Sequence, residues 1–518
     1  ARRSRLRMPL LCHLPFFDRP AIDGGLNTEA LPTRSDQRGN ARSFSASGGA
    51  TAGVDIGSVE VGREIRVTTA ADQLDVPAGA EVSLREALRD GRRIVIDPSL
   101  SGTTLTIANH SNPLRAFDDQ VFIDGSALNE PFTVSGGGSR EGVLFLRNLH
   151  AHGLTFRDSL GSVNRDGEIC LSSCNIENIS YRDRATLGVG TTPASARPLM
   201  RDGGAFFVRH FGRFTHCQFI DNSTFEPILE WPGEGLVSRA GAICANVWPE
   251  EVSILGTGVT RALYLRHSRF VGNACRLDSG AIAPGPGAVD SFALKTVIED
   301  CVFSKNLGSV GALAVNATDP LRGANGELLQ ININADRTAR VTRTGFDDNS
   351  NLLSTGQNVT AGAMFITNGA SNNFAKVDSC YFYGNEVASS DLAIGSLSAG
   401  ALVVVGTIEI NHCTFDSNTV INTSGPGITA GAALAVRNGP SLRNSLFANN
   451  FYSDGSSLSP ETIAVDSGFS SLGNNLADSS ALPLNHPTDQ TETSARLSPP
   501  LIGANGLRYT LPLSSSPA

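Results

Sequence analysis

Two short segments of the chain carry the polar side chains best suited to bind a ligand. They read T-H-C-Q-F, with His216 and Gln218, and R-H-S-R-F, with Arg266, His267 and Arg269. If the segments lie side by side, two imidazoles and two guanidinium groups form one outward cluster. An acidic glycan fits such a cluster best, because guanidinium groups pair with carboxylates; a metal ion is a weaker alternative. The plainer interpretation is an ordinary solvated face, which the residue types favour.

The acidic residues raise the question of catalysis on carbohydrate chains. Lyases of acidic polysaccharides use carboxylates that hold Ca²⁺ beside a basic residue, and glycoside hydrolases use paired carboxylates. The carboxylates near predicted turns are Asp221, Asp300, Asp347, Asp348, Asp378 and Asp416. They are scattered except for Asp347 and Asp348, which would point to opposite faces of a strand. A polysaccharide lyase or glycoside hydrolase is therefore the alternative function. No catalytic residue is assigned, no cofactor is expected, and Ca²⁺ enters only with the lyase.

The cysteines follow a pattern of packing rather than of cross-linking. One position in a repeated word is filled by Cys217, Ser268, Cys301, Thr344, Cys380, Cys413 and Ser445. A position that accepts Cys, Ser or Thr requires a small inward side chain. Cys380 and Cys413 fall in neighbouring copies, so a disulfide is not excluded, but buried thiols are favoured. Cys170 and Cys174 have no second pair beside them, which argues against a zinc site.

That word is C-x-F-x-x-N, and it organises most of the chain. Its Phe recurs at Phe219, Phe270, Phe303, Phe346, Phe382, Phe415 and Phe447, and an Asn follows each one three residues later. A second word, G-A followed by apolar residues, begins at Gly203, Ala240, Ser279, Val310, Ala361, Ala399 and Ala430. A constant core with spacers of variable length is typical of a solenoid.

The two words predict an all-β fold, a single-stranded right-handed parallel β-helix. Each copy supplies a G-A strand, a second strand that ends in x-F, and a turn at Asn. Cys and Phe are two residues apart, so both should point inward, and each Phe should stack on the next. Gly is expected to allow a tight turn before Ala, and Asn to adopt a left-handed bend and to form a ladder. Parallel crossovers are nearly always right-handed.

The ends of the chain predict a cap and tandem neighbours. A capping box, Ser83 with Glu86, predicts a short helix that covers the open end of the solenoid. The words "HLPFFDRPA" and "TLPLSSSPA" near the two termini resemble each other. The chain is therefore expected to be one unit of a longer tandem protein. We divide it into residues 1–62, the closing segment of a preceding unit; 63–200, the capping helix and first coils; 201–455, the regular coils; and 456–518, the last coils and a truncated closing segment.

These words resemble those of secreted bacterial β-helix repeat proteins. "VTTAADQLDVPAGAEVSLREAL" is similar to their S-L-R-E-A entry word, and "CTFDSN" to the F-x-x-N repeats of polymorphic outer-membrane proteins and related adhesins. The chain departs from the pattern at Val82, where a Cys is usual, and in the second Gly of G-G-A, which survives only at Gly203-Gly204. The resemblance covers the chain from about Pro20 onward. It implies the pectin-lyase-like fold, export and surface display, and no single activity.

Composition limits the partners. The net charge is −9 and only 18% of the residues are charged, which argues against a nucleic-acid partner held by bulk charge. No run is long enough for a transmembrane helix. We therefore expect an extracellular or cell-surface module that acts as an adhesin or structural stalk and contacts a host or cell-surface glycan or protein. The segments between copies, such as 223–239 and 316–340, are the expected contact points.

Overall fold

The computed structural model is a parallel β-helix solenoid built from short stacked strands. It describes residues 64–74, 81–90, 93–107, 114–115, 121–139, 143–145, 148–159, 168–182, 204–208, 211–226, 240–245, 262–277, 285–316, 338–352, 359–368, 374–389, 397–422, 429–453, 457–460, 463–479, 484–499, 501–503 and 508–509. The predicted closing segment at 1–62 lies outside these residues.

Three parallel sheets run along the solenoid. Sheet A has 13 strands: Glu64–Val67, Arg93–Ile96, Val121–Asp124, Asn148–His152, Glu168–Ser172, Phe211–Thr215, Ala262–Arg266, Lys295–Glu299, Thr338–Thr342, Phe374–Asp378, Glu409–Asn411, Ser441–Arg443 and Ser470–Ser471. Sheet C has eight: Phe206–Val208, Ile243–Ala245, Val289–Ser291, Leu313–Asn316, Met364–Asn368, Leu402–Gly406, Leu434–Arg437 and Ile463–Val465.

Within each regular coil, the sheet B strand follows the sheet A strand along the chain and is itself followed by a turn. Its 14 strands are Thr104–Thr106, Phe132–Ser139, Leu154–Ser159, Asn175–Arg182, Gln218–Ile220, Arg269–Val271, Val302–Ser304, Gly345–Asp347, Tyr381–Tyr383, Thr414–Asp416, Leu446–Ala448 and Leu476–Ala477, with Ser223–Glu226 and Ala274–Leu277 beside them. Smaller sheets comprise Ser350–Leu352, Glu386–Ser389, Thr419–Asn422, Phe451–Ser453 and Leu458–Ser459; Val359–Ala361, Leu397–Ala399 and Thr429–Gly431; Leu114–Arg115 and Leu144–Phe145; and Leu501–Ile502 and Arg508–Tyr509.

A regular coil therefore has three main strands, not the two that the sequence predicts. The G-A word forms the sheet C strand, as expected. The predicted second strand is two strands, one in sheet A and one in sheet B, because a residue with a left-handed backbone separates them. In one coil this residue is His216, with φ of 55°, between Phe211–Thr215 and Gln218–Ile220.

The Phe of each word fills the interior, as predicted. The seven rings are fully buried and stack in register, with centroids 4.6 to 5.1 Å apart and interplanar angles of 2° to 7°. They belong to one hydrophobic core that runs without a break from Val67 to Ala477. Because each coil exposes its apolar face until the next coil covers it, stacking supplies the burial that one coil lacks.

The Asn of each word forms the predicted ladder. Asn222, Asn273, Asn306, Asn349, Asn385, Asn418 and Asn450 are buried, and each Nδ2 donates to the Oδ1 of the next at 2.9 to 3.0 Å. From Asn273 onward the Nδ2 also donates to a Phe carbonyl of the preceding coil, as from Asn349 to Phe303 at 2.9 Å; Asn222 Nδ2 donates to the Ile176 carbonyl at 3.0 Å. Each Oδ1 accepts in addition a backbone N–H. The buried amides are thus satisfied by one another and by the backbone.

The left-handed bend lies one residue before the ladder, so its assignment to Asn is wrong. Positive φ occurs at Asp221, Gly272, Lys305, Asp348, Gly384, Ser417 and Asn449. The ladder residues themselves do not have positive φ. The amide of the ladder Asn is fully used by hydrogen bonds, and the preceding residue, whose side chain points outward, takes the turn.

Glycine in the G-A word is needed because the backbones of neighbouring coils approach each other closely, and not because the chain makes a tight turn there. None of Gly204, Gly241, Gly287, Gly311, Gly362 and Gly400 has a positive φ, yet a β-carbon on any of them would overlap a carbonyl oxygen of the next coil. One copy of the word was also misplaced. Gly287-Ala288, not the word at Ser279, continues the column from Gly241 to Gly311. The word at Ser279 lies outside the described residues.

The capping box and helix are confirmed. The helix is Leu84–Asp90; the Ser83 N–H donates to Glu86 Oε2 at 2.8 Å, and the Glu86 N–H donates to Ser83 Oγ at 3.2 Å. Leu84 and Leu88 are buried in the core, and the helix packs on Glu64–Val67, the first strand of sheet A. It therefore covers the apolar interior at this end.

Replacing Asn349 by Ala should strongly destabilise the solenoid. Its Oδ1 accepts from the N–H and Nδ2 of Asn306, and its Nδ2 donates to Phe303 and Asn385. Leaving such buried groups without partners should lower the free energy of unfolding by about 3 kcal/mol, measured by urea denaturation. The matched control is Ser304→Ala, whose hydroxyl makes only a 3.4 Å contact with Asp347. Equal losses in the two variants would contradict the ladder's role.

Candidate functional site

The five residues of the predicted cluster lie together, across the bend between sheets A and B. Arg266 ends the sheet A strand, His216 and His267 occupy the bend, and Gln218 pairs with Arg269 in sheet B. The two imidazole rings stack with centroids 4.8 Å apart and an interplanar angle of 17°. Arg266 is half-buried and the other four are exposed. The predicted adjacency is observed, but the residues turn a corner and do not share one flat strand.

The bend continues along the solenoid as a column of equivalent residues, which we call the corner column. It comprises His216, His267, Asp300, Arg343, Ser379, His412 and Asn444, as the repeat predicts, with φ between 47° and 55°. Each backbone N–H donates to a carbonyl of the next coil, as from His216 to Arg266 at 3.0 Å and from His267 to Glu299 at 3.1 Å. These bonds hold a left-handed backbone that non-glycine residues adopt at a cost.

Charges in this part of the corner column pair with one another along the axis. Arg343 Nε and Nη2 donate to the two carboxylate oxygens of Asp300, both at 2.8 Å, and Arg266 Nε lies 3.0 Å from Glu299 Oε2. His267 Nδ1 lies 3.9 Å from Asp300 Oδ2. The hydrogen bonds from Arg343 lower the pKa of Asp300, and the same contact raises the pKa of Arg343. Two of the predicted ligand-binding side chains, Arg266 and His267, therefore face carboxylates of the same surface.

A second charged group lies farther along the same edge. Lys376 Nζ lies 3.8 Å from Asp378 Oδ1 and 3.4 Å from Glu409 Oε1. Arg443 Nη2 donates to Glu409 at 2.8 Å, and His412 Nδ1 lies 3.6 Å from Asp378. Each carboxylate in this group has a cation within ion-pair distance. Such pairing holds neighbouring coils in register and leaves no adjacent free carboxylates for acid–base work at this edge of the described chain.

The other carboxylates named from the sequence lie at strand ends or in the left-handed turns that follow them. Asp221 and Asp348 are left-handed turn residues, with φ of 52° and 50°. Asp347 ends the strand Gly345–Asp347, so Asp347 and Asp348 do not share a strand as the sequence analysis assumed. Asp416 is buried and accepts a hydrogen bond from Asn449 Nδ2 at 3.0 Å. Within the described residues no group of three or more His, Cys, Asp or Glu side chains fits a metal ion.

The repeat cysteines are interior thiols. Cys174, Cys217, Cys301, Cys380 and Cys413 are free and buried, so the preference for thiols over a Cys380–Cys413 disulfide is confirmed. Burial raises the pKa of Cys174 and of Cys301 to about 12 and lifts that of Cys413 well above its usual value. A neutral, enclosed thiol is neither a nucleophile nor a metal ligand.

The structure also reveals an outward cluster that the sequence analysis did not identify. Tyr264 lies on the outer face of sheet A, with Lys295 Nζ 5.5 Å and Arg266 Cζ 5.9 Å from its ring centroid. Phe211 packs beside it, with ring centroids 5.6 Å apart. A signal existed in the alternation of "ALYLR", where every second residue is outward. It was missed because sheet A has no conserved word such as C-x-F to anchor the register.

No protein-family model, curated protein or solved structure matches this chain. The likeness of its words to bacterial β-helix repeat proteins therefore stays an expectation from sequence. In the described part of the chain, no helix is long and apolar enough to cross a lipid bilayer.

Replacing Arg343 by Gln should raise the pKa of Asp300 toward its ordinary value of 3.8. A carboxyl group whose folded-state pKa is lowered stabilises the fold above its unfolded pKa, and this contribution is lost as pH falls through the folded pKa. The variant should lose about 0.5 kcal/mol at neutral pH, since the pair is solvent-exposed, and nothing in strong acid. Urea unfolding as a function of pH and NMR titration of the carboxyl group measure the two effects.

Lys305→Gln is the matched control for this variant. Lys305 is an exposed cation at another left-handed turn, with φ of 56°, and has no ion-pair partner among the described residues. Its removal should leave the pKa of Asp300 and the pH dependence of unfolding unchanged. An Asp300 pKa that is the same in wild type and Arg343→Gln would refute the proposed cause.

The interior thiols should resist alkylation in the folded protein. Because Cys174, Cys301 and Cys413 are enclosed and their pKa values are raised, iodoacetamide at about pH 8 should modify them at least 100-fold more slowly than in urea-unfolded protein. Peptide mapping by mass spectrometry gives the extent at each cysteine. A free cysteine peptide added to the same reaction reports reagent activity. Rapid native labelling of Cys413 would contradict the buried position.

Proposed function

We propose that this chain is an exported module displayed at a cell surface, where its solenoid acts as an adhesin or as a structural stalk. The observation that carries the proposal is the unbroken 13-strand sheet A, backed by one continuous core. At a spacing of about 4.8 Å per coil, such a sheet is a rod of roughly 58 Å. A stiff rod suits a role in reach and contact, because every coil is tied to its neighbours along the whole axis.

Ion pairs on the surface of the solenoid also support the role of a stiff rod. Ion pairs of the corner column, such as Asp300 with Arg343, join consecutive coils and add cross-links outside the core. Segments between coils differ in length from one coil to the next, and loops of this kind carry contacts in repeat proteins. We place partner contacts on these variable segments and on the outer faces of the sheets. Export and the identity of the partner are parts of the proposal.

The alternative function was a polysaccharide lyase or glycoside hydrolase. Both chemistries need carboxylates that are available to substrate or metal. Along the described edge, the carboxylates of Glu299, Asp300, Asp378 and Glu409 each face an Arg or a Lys. No contact in the described part of the chain favours this alternative over the rod.

Surface display predicts selective labelling of lysines on intact cells. The chain has three lysines, Lys295, Lys305 and Lys376, and the first two are exposed. When source cells that express the native gene are treated with a membrane-impermeant amine-biotin reagent, peptides with Lys295 and Lys305 should be labelled before lysis, at no less than about half the extent seen after lysis. Labelling only after lysis would refute display. A cytosolic marker protein, which should stay unlabelled on intact cells, controls for leakage.

A further inference from the structure

The outer face of sheet A has a local charge opposite to that of the whole chain. Register places the outward residues of four consecutive strands, Phe211–Thr215, Ala262–Arg266, Lys295–Glu299 and Thr338–Thr342, side by side. They include four cations, Arg213, Arg266, Lys295 and Arg340, and one carboxylate, Glu299. Inward residues of these strands, such as Leu265 and Ile298, are fully buried, so the charged ones face out. Three positive charges are in excess here, on a chain of net charge −9.

Three of these cations are available to a ligand. Glu299 pairs with Arg266 at 3.0 Å. For Arg213, Lys295 and Arg340, the described residues supply no carboxylate within ion-pair distance; Arg340 Nε donates only to Thr342 Oγ1 at 3.0 Å. Lys295 and Arg340 are exposed and Arg213 is half-buried. An excess of cations without local partners attracts anions to this face.

Buried apolar side chains pack beside the Tyr264 ring, between the cations. Phe211 and Ala262 are 8% and 6% exposed and form a small cluster with Tyr264, separate from the interior core. The Tyr264 ring is half-buried, with Lys295 Nζ 5.5 Å and Arg266 Cζ 5.9 Å from its centroid. Cation contacts fix the ring without closing it off. The face thus combines a flat aromatic surface with charges around it.

We infer that this surface, the Tyr264 face, defined by Arg213, Tyr264, Lys295 and Arg340, binds a carboxylated sugar. A pyranose ring offers an apolar C–H face that packs on an aromatic ring, and its carboxylate at the ring edge pairs with guanidinium and ammonium groups. One sugar unit therefore meets both features of the face. The inference deepens the proposed function by naming the ligand class, and it rests on that function for its biological meaning.

The chemistry separates this ligand from other polyanions. A nucleic acid or an acidic peptide would use the cations, but would not need the half-buried aromatic ring between them. Two sources supply carboxylated sugars, sialylated cell-surface glycans and uronate polymers, and both belong in the test.

The test is isothermal titration of the full chain with matched probes. The acidic probes are 3′-sialyllactose and trigalacturonate; their neutral partners are lactose and the methyl ester of trigalacturonate. We expect at least one acidic probe to bind at least ten-fold more tightly than its neutral partner, with affinity falling as salt rises. Which acidic probe binds identifies the source. Equal binding of acidic and neutral partners, or no binding of either acidic probe, overturns the inference.

Variants locate the binding. Arg213→Gln with Arg340→Gln should weaken binding about ten-fold or more, and Tyr264→Leu should weaken it while leaving the cations in place. The matched control, Lys305→Gln with Arg496→Gln, removes the same two charges from exposed positions elsewhere and should bind as wild type. Circular dichroism confirms that each variant is folded. Equal affinity in the Arg213/Arg340 variant and the control overturns the placement.

Two further arms separate failure of the inference from failure of the proposed function. Oligo-dT or polyglutamate that binds as tightly as the acidic sugars would show a general anion surface and overturn the sugar assignment. Surface labelling on intact cells tests display independently of any sugar. A displayed chain that binds no acidic sugar would overturn this inference alone, and a sugar-binding chain that is not displayed would overturn the proposed function alone.

Discussion

The buried asparagine ladder is the constraint on which the rest of the structure depends. Each side-chain amide donates to the next and also binds the backbone, so no coil can shift by one residue without leaving buried amides without partners. The Phe stack beside it supplies most of the burial but tolerates sliding, since apolar contacts are not directional. The ladder therefore sets the register, and the Phe column follows it.

A fixed register converts sequence differences between coils into surface chemistry. Once the interior columns repeat, the outward columns are free to vary, and they do so in two ways. In the corner column the opposite charges of Asp300 and Arg343 pair with each other. On the outer face of sheet A, Arg213, Lys295 and Arg340 have no such partner among the described residues. The same scaffold thus holds one surface that stabilises the rod and one that is available to a partner.

The interior columns of Phe and Asn could be predicted from the sequence, but the positions of the left-handed bends could not. Phe415 and Asn418 recur because an interior position admits few residue types. The left-handed residues before the ladder include Asp, Gly, Lys, Ser and Asn, so no residue type marks them. The variable spacing between copies led to a wrong assignment of one G-A word. It was assigned at Ser279, but the pair that belongs to the column is Gly287-Ala288, which begins eight residues after Ser279. The His216–His267 pair was found because it flanks an anchored word; Tyr264 was missed because its strand has no such anchor.

The asparagine ladder also places a row of aligned amide dipoles along the axis of the solenoid. From Asn222 to Asn418, one side-chain N–H of each amide points toward the following coil and donates to the Oδ1 of the next Asn. The other N–H donates to a backbone carbonyl of the preceding coil, as from Asn349 to Phe303. The six aligned hydrogen bonds between these side-chain amides are buried, and they polarise one another as in any chain of like-oriented dipoles. The Asn column therefore has a net dipole along the solenoid axis, with its negative end at Asn222 and its positive end at Asn450, although its side chains are uncharged.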